Sequence, residues 1–142
     1  GGQKDRVQIY EDTGSGFNEE QSFFPDELSE QVRVTPEGVT ELEVTVPGGR
    51  SALRIDPCSD YCIVYIREMK YNGVPVPWKG RQIQVNGFKV GDNTYAFPTA
   101  DPNITVSLAG LAGEENNLLQ AAMEVTRLPE ETVKHMQKRG LF

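Results

Sequence analysis

Glu41 and Glu43, two apart, come closest in this chain to a catalytic carboxylate pair. Glycoside cleavage needs two carboxyls roughly 5–10 Å apart across a cleft, one of them with a raised pKa. In Val39-Thr40-Glu41-Leu42-Glu43-Val44-Thr45-Val46 the glutamates alternate with Leu42, Val44 and Val46, so both are expected to point into water. His135 is the sole histidine and lies in a charged terminal segment where nothing would orient it as the base of a triad. Asp12-Thr13-Gly14 matches the Asp-Thr-Gly of aspartic proteases, but occurs once and lacks hydrophobic flanks. Gly14-Ser15-Gly16 lacks the further glycine, strand and helix of a dinucleotide loop. Cys58 and Cys62 are spaced C-x3-C; zinc needs two more ligands and only His135 is on offer. They read as two free thiols with Cys62 in a strand, a local disulfide being sterically open, and they leave the redox compartment unset. Calcium at Asp56, Asp60 or Asp101 would lack EF-hand spacing. The expectation is no catalytic residue, no metal and no cofactor.

Saccharide binding has better material. Sugar C–H faces stack on flat rings while Asn, Asp, Gln and Arg side chains bond the hydroxyls. Trp78, the only tryptophan, sits in a Pro-bounded stretch with Lys79 and Arg81, and Tyr71, Asn72 and Tyr95 share its neighbourhood in the pattern. The expected ligand-binding residues are Trp78, Tyr71, Tyr95, Asn72 and Arg81. The competing reading packs Trp78 against a sheet edge as core.

Composition narrows the classes. The 142 residues carry 14 Lys+Arg and 21 Asp+Glu, a net charge of −7. A nucleic-acid binder would need a basic stripe, and a membrane anchor a polybasic run. No apolar run approaches the roughly 18–20 residues of a membrane span. The length fits one domain. The opening Gly1-Gly2 and the closing Leu141-Phe142 read as the ends of a piece cut from a longer chain.

These residues must be held by strands. Val7–Tyr10, 39–46, 51–55, Tyr61–Tyr71, 83–85, 94–97 and 103–108 show β-branched or alternating patterns. Between them stand turn signals: residues 11–18, Pro47-Gly48-Gly49, Asp56-Pro57, Asn72-Gly73, Asn86-Gly87 and Gly91-Asp92-Asn93. Residues 18–30 read as a long loop, and Val74–Trp78 as an edge or loop because of its prolines. Leu118–Leu128 fits a strand or a helix; a strand is favoured because Glu124-Val125-Thr126-Arg127 is poor helix. Pro129 to Arg139 predicts a helix, acidic at its start, basic at its end and stopped by Gly140. The expected fold is all-β: an antiparallel, jelly-roll-like β-sandwich over residues 1–128, with one short C-terminal helix over 129–142 leading to a further domain.

Three ordered stretches add to this reading: Ile9-Tyr10-Glu11-Asp12-Thr13-Gly14-Ser15-Gly16-Phe17-Asn18-Glu19-Glu20, Leu53-Arg54-Ile55-Asp56-Pro57, and Phe97-Pro98-Thr99-Ala100-Asp101-Pro102-Asn103-Ile104. Together they resemble the β-sandwich, carbohydrate-binding-like accessory domain found beside bacterial glycosyltransferases and sugar-linked methyltransferases of cell-surface polysaccharide and lipopolysaccharide synthesis. The likeness spans roughly residues 7–128. It implies a non-catalytic module that binds saccharide or positions a catalytic domain of the same parent chain in the cytoplasm. The alternatives are a secreted or surface carbohydrate-binding module and, less favoured by the residue inventory, a small hydrolase. Locally, Asp56-Pro57 and Asp101-Pro102 read as strand-ending turns with Asp capping backbone donors, and Thr13-Gly14 as a loop needing positive φ.

Overall fold

Alternation of apolar and polar residues decides the architecture, because a strand with one greasy face must bury it against another sheet. The computed structural model describes residues 7–25, 32–77, 81–111 and 113–142. Among the described residues twelve strands form: β1 Gln8–Asp12, β2 Ser22–Phe23, β3 Val32–Val34, β4 Val39–Pro47, β5 Ala52–Asp56, β6 Cys62–Tyr71, β7 Val74–Pro75, β8 Ile83–Val85, β9 Phe88–Gly91, β10 Thr94–Phe97, β11 Ile104–Ser107 and β12 Asn116–Arg127. One helix, α1 (Glu130–Lys138), follows.

The strands make two antiparallel sheets packed face to face. The smaller runs β2-β1-β5-β11-β8; the larger runs β3-β4-β12-β6-β10-β9, with β7 paired to the far end of β6. β4, β5 and β6 lie in alternate sheets, as do β10, β11 and β12, which is the jelly-roll-like winding. Ile9, Leu53, Ile55, Ile104 and Val106 of the smaller sheet meet Leu42, Val44, Val46, Val64, Ile66, Phe97, Leu119 and Met123 of the larger one in a single core. Leu53 and Ile55 face inward and Ala52 and Arg54 outward, as their alternation requires.

The ambiguous Leu118–Leu128 region is strand: β12 pairs with β4 on one side and β6 on the other. Helix-forming Leu, Gln and Ala yield because two ladders and a buried face outweigh local propensity. Asn72-Gly73 makes the expected hairpin, with both residues at positive φ (53° and 79°), the two-residue turn that matches strand twist. Asn86-Gly87 does not make a hairpin. It carries the chain from β8 in one sheet to β9 in the other, and the Asn86 side chain ties down a loop, accepting from the Asn103 N–H and donating to the Asp101 carbonyl. The strands β3 and β9 are edge strands of three and four residues, too short for their alternation to stand out in the sequence. The region read as loop from residue 18 contains a 3-10 turn, Glu19–Gln21, and β2, which pairs with β1. The helix ends as predicted: Gly140 (φ 71°) and Leu141 donate back to Gln137 and Met136, closing the last turn.

Two local expectations are corrected. Asp56 does not cap backbone donors; both its oxygens are held by Arg54, at 2.8 and 2.9 Å. At the second Asp-Pro, the Asp101 N–H is taken by Thr99 and its carbonyl by Asn86. The acid that does cap a loop is Asp12, whose Oδ1 accepts from the N–H groups of Gly14 and Gly16. Gly14 there has φ 120°, as expected.

Candidate functional site

The outer face of the larger sheet carries the chemistry. Cross-strand register sets Arg33, Glu41, Ala122 and Glu68 in one row across β3, β4, β12 and β6. The adjoining row is Glu43, Gln120 and Lys70. Long side chains stand on both sides of the methyl group of Ala122, so the surface sinks there into an open groove of about 730 Å³. A β-bulge sits in its floor: the pairing of β12 with β6 shifts between Ala122 and Met123, leaving Arg67 as the extra residue. Bulges of this kind recur beside functional sites because they re-aim side chains. An adjoining hollow, lined by Glu37, Glu41, Arg67 and Glu68, continues the groove past the bulge.

The charges in the groove are mostly paired. Arg33 donates to Glu41, Lys70 lies 2.8 Å from Glu68, and Arg67 donates to Glu124 at 2.8 Å. Glu43 is exposed at the mouth. The glutamates Glu41 and Glu43 do face outward as the alternation predicts.

A smaller pocket of about 290 Å³ opens at one end of the sandwich. Two asparagines build its frame. The side chain of Asn117, 4 % exposed, accepts from Asn72 Nδ2 and the Glu114 N–H and donates to the carbonyls of Val46 and Glu114. Asn72 Oδ1 in turn accepts from the Leu118 N–H. Tyr71 and Arg50 line the pocket.

The expected sugar-binding residues do not form one face. Trp78 lies outside the described residues. Tyr71 is buried at the end of β6 and Asn72 is committed to the hairpin and the asparagine frame. Tyr95, half-buried against the core, pairs with Val64, seven residues from Tyr71 along β6 or roughly 23 Å at strand spacing. Arg81 is exposed before β8. Gln120, Ala122, Glu68 and Arg33 were not singled out. Alternation places the first two on the wet face with Glu43, but only the register shows which residues share a row.

The thiols of Cys58 and Cys62 are both free and buried and touch one another, Cys58 also donating to the Asp60 carbonyl. The contact with Cys58, then burial, pushes the Cys62 thiol far up, while the same contact holds Cys58 below its ordinary value against the opposing effect of burial. His135 is exposed on α1. Among the described residues no group of three or more His, Cys, Asp or Glu is placed to hold a metal, and no helix is long and apolar enough to cross a membrane. Comparison with protein-family models, curated proteins and solved structures finds no match.

Proposed function

We propose that this chain is a non-catalytic saccharide-binding β-sandwich, an accessory unit of a bacterial glycosyltransferase of surface polysaccharide or lipopolysaccharide synthesis. It would work in the cytoplasm beside a catalytic domain of the same parent chain. The carrying observation is the groove over Ala122. Its walls present carboxylates, an amide and a guanidinium, which together accept and donate to the vicinal hydroxyls of a sugar. Glu41 and Glu68 already have cationic partners, so the groove favours neutral hydroxyl groups over ions. Its volume lies in the roughly 300–1,000 Å³ range of small-ligand sites, and its open, polar lining suits a ligand that stays partly wet.

The test is an ¹⁵N-HSQC titration with a panel of monosaccharides, neutral bacterial surface oligosaccharides and nucleotide sugars. Saturable shifts are expected at Glu43, Glu68, Gln120 and Ala122. Ala122→Phe fills the floor from the solvent side, leaving the core alone, and abolishes them. Binding that survives Ala122→Phe, or an absence of shifts at millimolar ligand, sinks the reading.

One observation favours the second role, positioning the catalytic domain. Phe142 stacks on Tyr61 and meets Phe88 edge-on, each at 6.2 Å, while Phe88, Val90 and Leu141 remain exposed. An apolar edge of this kind suits docking. In the parent chain, Val90→Lys should weaken the hold of this unit on the catalytic domain, read as faster amide exchange over Phe88–Gly91; unchanged exchange counts against it.

A further inference from the structure

The pocket at the end of the sandwich is distinct from the groove, and one of its walls is chemically unfinished. Asn117 uses both lone pairs of Oδ1 and both protons of Nδ2 within the protein. Arg50 donates Nε to Glu11 at 3.0 Å and Nη1 to the Gly48 carbonyl at 3.2 Å, leaving further N–H groups. Tyr71 is the exception. It is 5 % exposed, lines the pocket, and its phenol has no hydrogen-bond partner among the described residues. Buried hydroxyls are nearly always partnered, so an orphan on a residue that lines a cavity marks the place of a missing polar group. Burial alone raises its pKa, so at neutral pH it remains a donor.

We infer that this pocket binds one neutral, hydroxyl-bearing unit, the terminal sugar of a glycan, with the Tyr71 phenol and the remaining Arg50 N–H groups donating to its oxygens. A volume of about 290 Å³ admits one pyranose ring and not a chain. Charge points the same way. Arg50 is offset by Glu11, and Glu114 adds a carboxylate to the lining, so an anionic ligand meets no net attraction. Gly48, Gly49 and Gly113 line the rest, where bare backbone lets a ring approach closely. Gly49 has φ 81°, and no Cβ added to Gly49 or Gly113 would meet an atom within 4 Å, so that space is open. The inference shares the saccharide class with the proposed function but none of the groove's residues.

The experiment is an ¹⁵N-HSQC titration of the full chain with D-glucose, D-galactose, L-rhamnose and N-acetyl-D-glucosamine, their disaccharides, and D-glucuronate as the anionic probe. At least one neutral monosaccharide is expected to shift the amides of Gly48, Gly49 and Gly113 saturably. Tyr71→Phe should weaken that binding at least tenfold while leaving Tm equal or higher, since it removes a hydroxyl the free protein does not satisfy. Ala122→Phe should leave it unchanged, which separates this pocket from the groove: groove shifts that are absent in the native chain, or that survive Ala122→Phe, with the glycine shifts intact fail only the earlier reading. The inference is overturned if no sugar moves the three glycine amides, if glucuronate binds more tightly than every neutral sugar, or if Tyr71→Phe binds like the native chain. A Tm lowered by several degrees in Tyr71→Phe also overturns it, because the phenol is then a structural group completed by water.

Discussion

The guanidinium carbon of Arg54 lies 4.0 Å above the centre of the Tyr10 ring. The two residues are direct partners in the β1–β5 register, on the outer face of the smaller sheet. The same guanidinium holds both oxygens of Asp56, and the Tyr10 hydroxyl donates to Glu19 at 2.8 Å. Two of the three motif stretches, around Tyr10 and around Leu53–Pro57, thus meet in one cluster that pins the Glu19 turn onto the sheet.

Breaking this cluster from one side should be costly. Arg54→Met leaves the largely buried Asp56 carboxylate unpaired, and fully enclosed pairs lose roughly 3–5 kcal/mol this way. Arg54 is 22 % exposed, so about 2–3 kcal/mol is expected. Adding Asp56→Leu should recover most of it. Urea midpoints of the two single variants and the double variant decide the matter; additive losses would show that the pair is not coupled.

The cluster also predicts a pH response at the alkaline end. Burial, then the bond to Glu19, pushes the Tyr10 phenol up to about 12. A folded pKa above the unfolded value of about 10 means the folded chain holds the proton more tightly. Its stabilising contribution is complete below pH 10 and is lost as pH rises towards 12. On the acid side Glu19 and Asp12 behave oppositely: hydrogen bonds hold both carboxyls low, so their contribution is lost as pH falls below the ordinary carboxylate range. Melting curves between pH 9 and 11 should fall more steeply for the native chain than for Tyr10→Phe. Equal slopes would place the titrating group elsewhere.

Gly87 is required for space and not for its backbone angle. A Cβ there would lie 2.2 Å from the Ala96 carbonyl oxygen and 2.9 Å from the fully buried Phe97 ring. Neither can step aside, so Gly87→Ala should destabilise by about 2–3 kcal/mol. At Gly91 the nearest atoms are 3.7 Å away, in the Thr94 side chain, and Gly91→Ala should cost well under that. Chemical denaturation of the two variants compares them directly.

Asn117 should be the most sensitive polar residue at the pocket end. Asn117→Ala removes four side-chain hydrogen bonds, among them the buried one to the Val46 carbonyl. A loss of about 2–4 kcal/mol is expected. Asn72→Ala should lose less, since its side chain is only partly buried. The order of the two thermal midpoints checks the claim that Asn117 is the keystone of the frame.

Cys58 and Cys62 should resist aqueous thiol reagents in the folded state, being buried at 3 % and 0 % exposure. Two thiols should appear on denaturation. Rapid labelling of native protein at pH 7 would contradict this placement.

The chain's own order determined the sandwich. Period two in residues 39–46 and 51–55, turn residues between strands, and a capped terminal helix are local signals, and each one limits which face is buried. Even the doubtful Leu118–Leu128 could be judged from its poor helical second half. What local pattern did not carry is pairing. Alternation says Glu43 and Gln120 face water; only the register of β4, β12 and β6 sets them side by side around a small residue at Ala122. Asn72 is a turn residue in sequence, yet its side chain completes a bond network with Asn117, forty-five positions on. Tyr71 reads in sequence as a ring for a sugar to stack on, but it is buried, and its interest lies in the hydroxyl. Asn86-Gly87 has the composition of a hairpin and joins two sheets instead, because the partner of β8 is β11 and that of β9 is β10. Face and turn depend on neighbours a few residues away and are written in the chain. Rows, pockets and unpaired groups depend on residues brought together from far apart, so only the folded structure decides them.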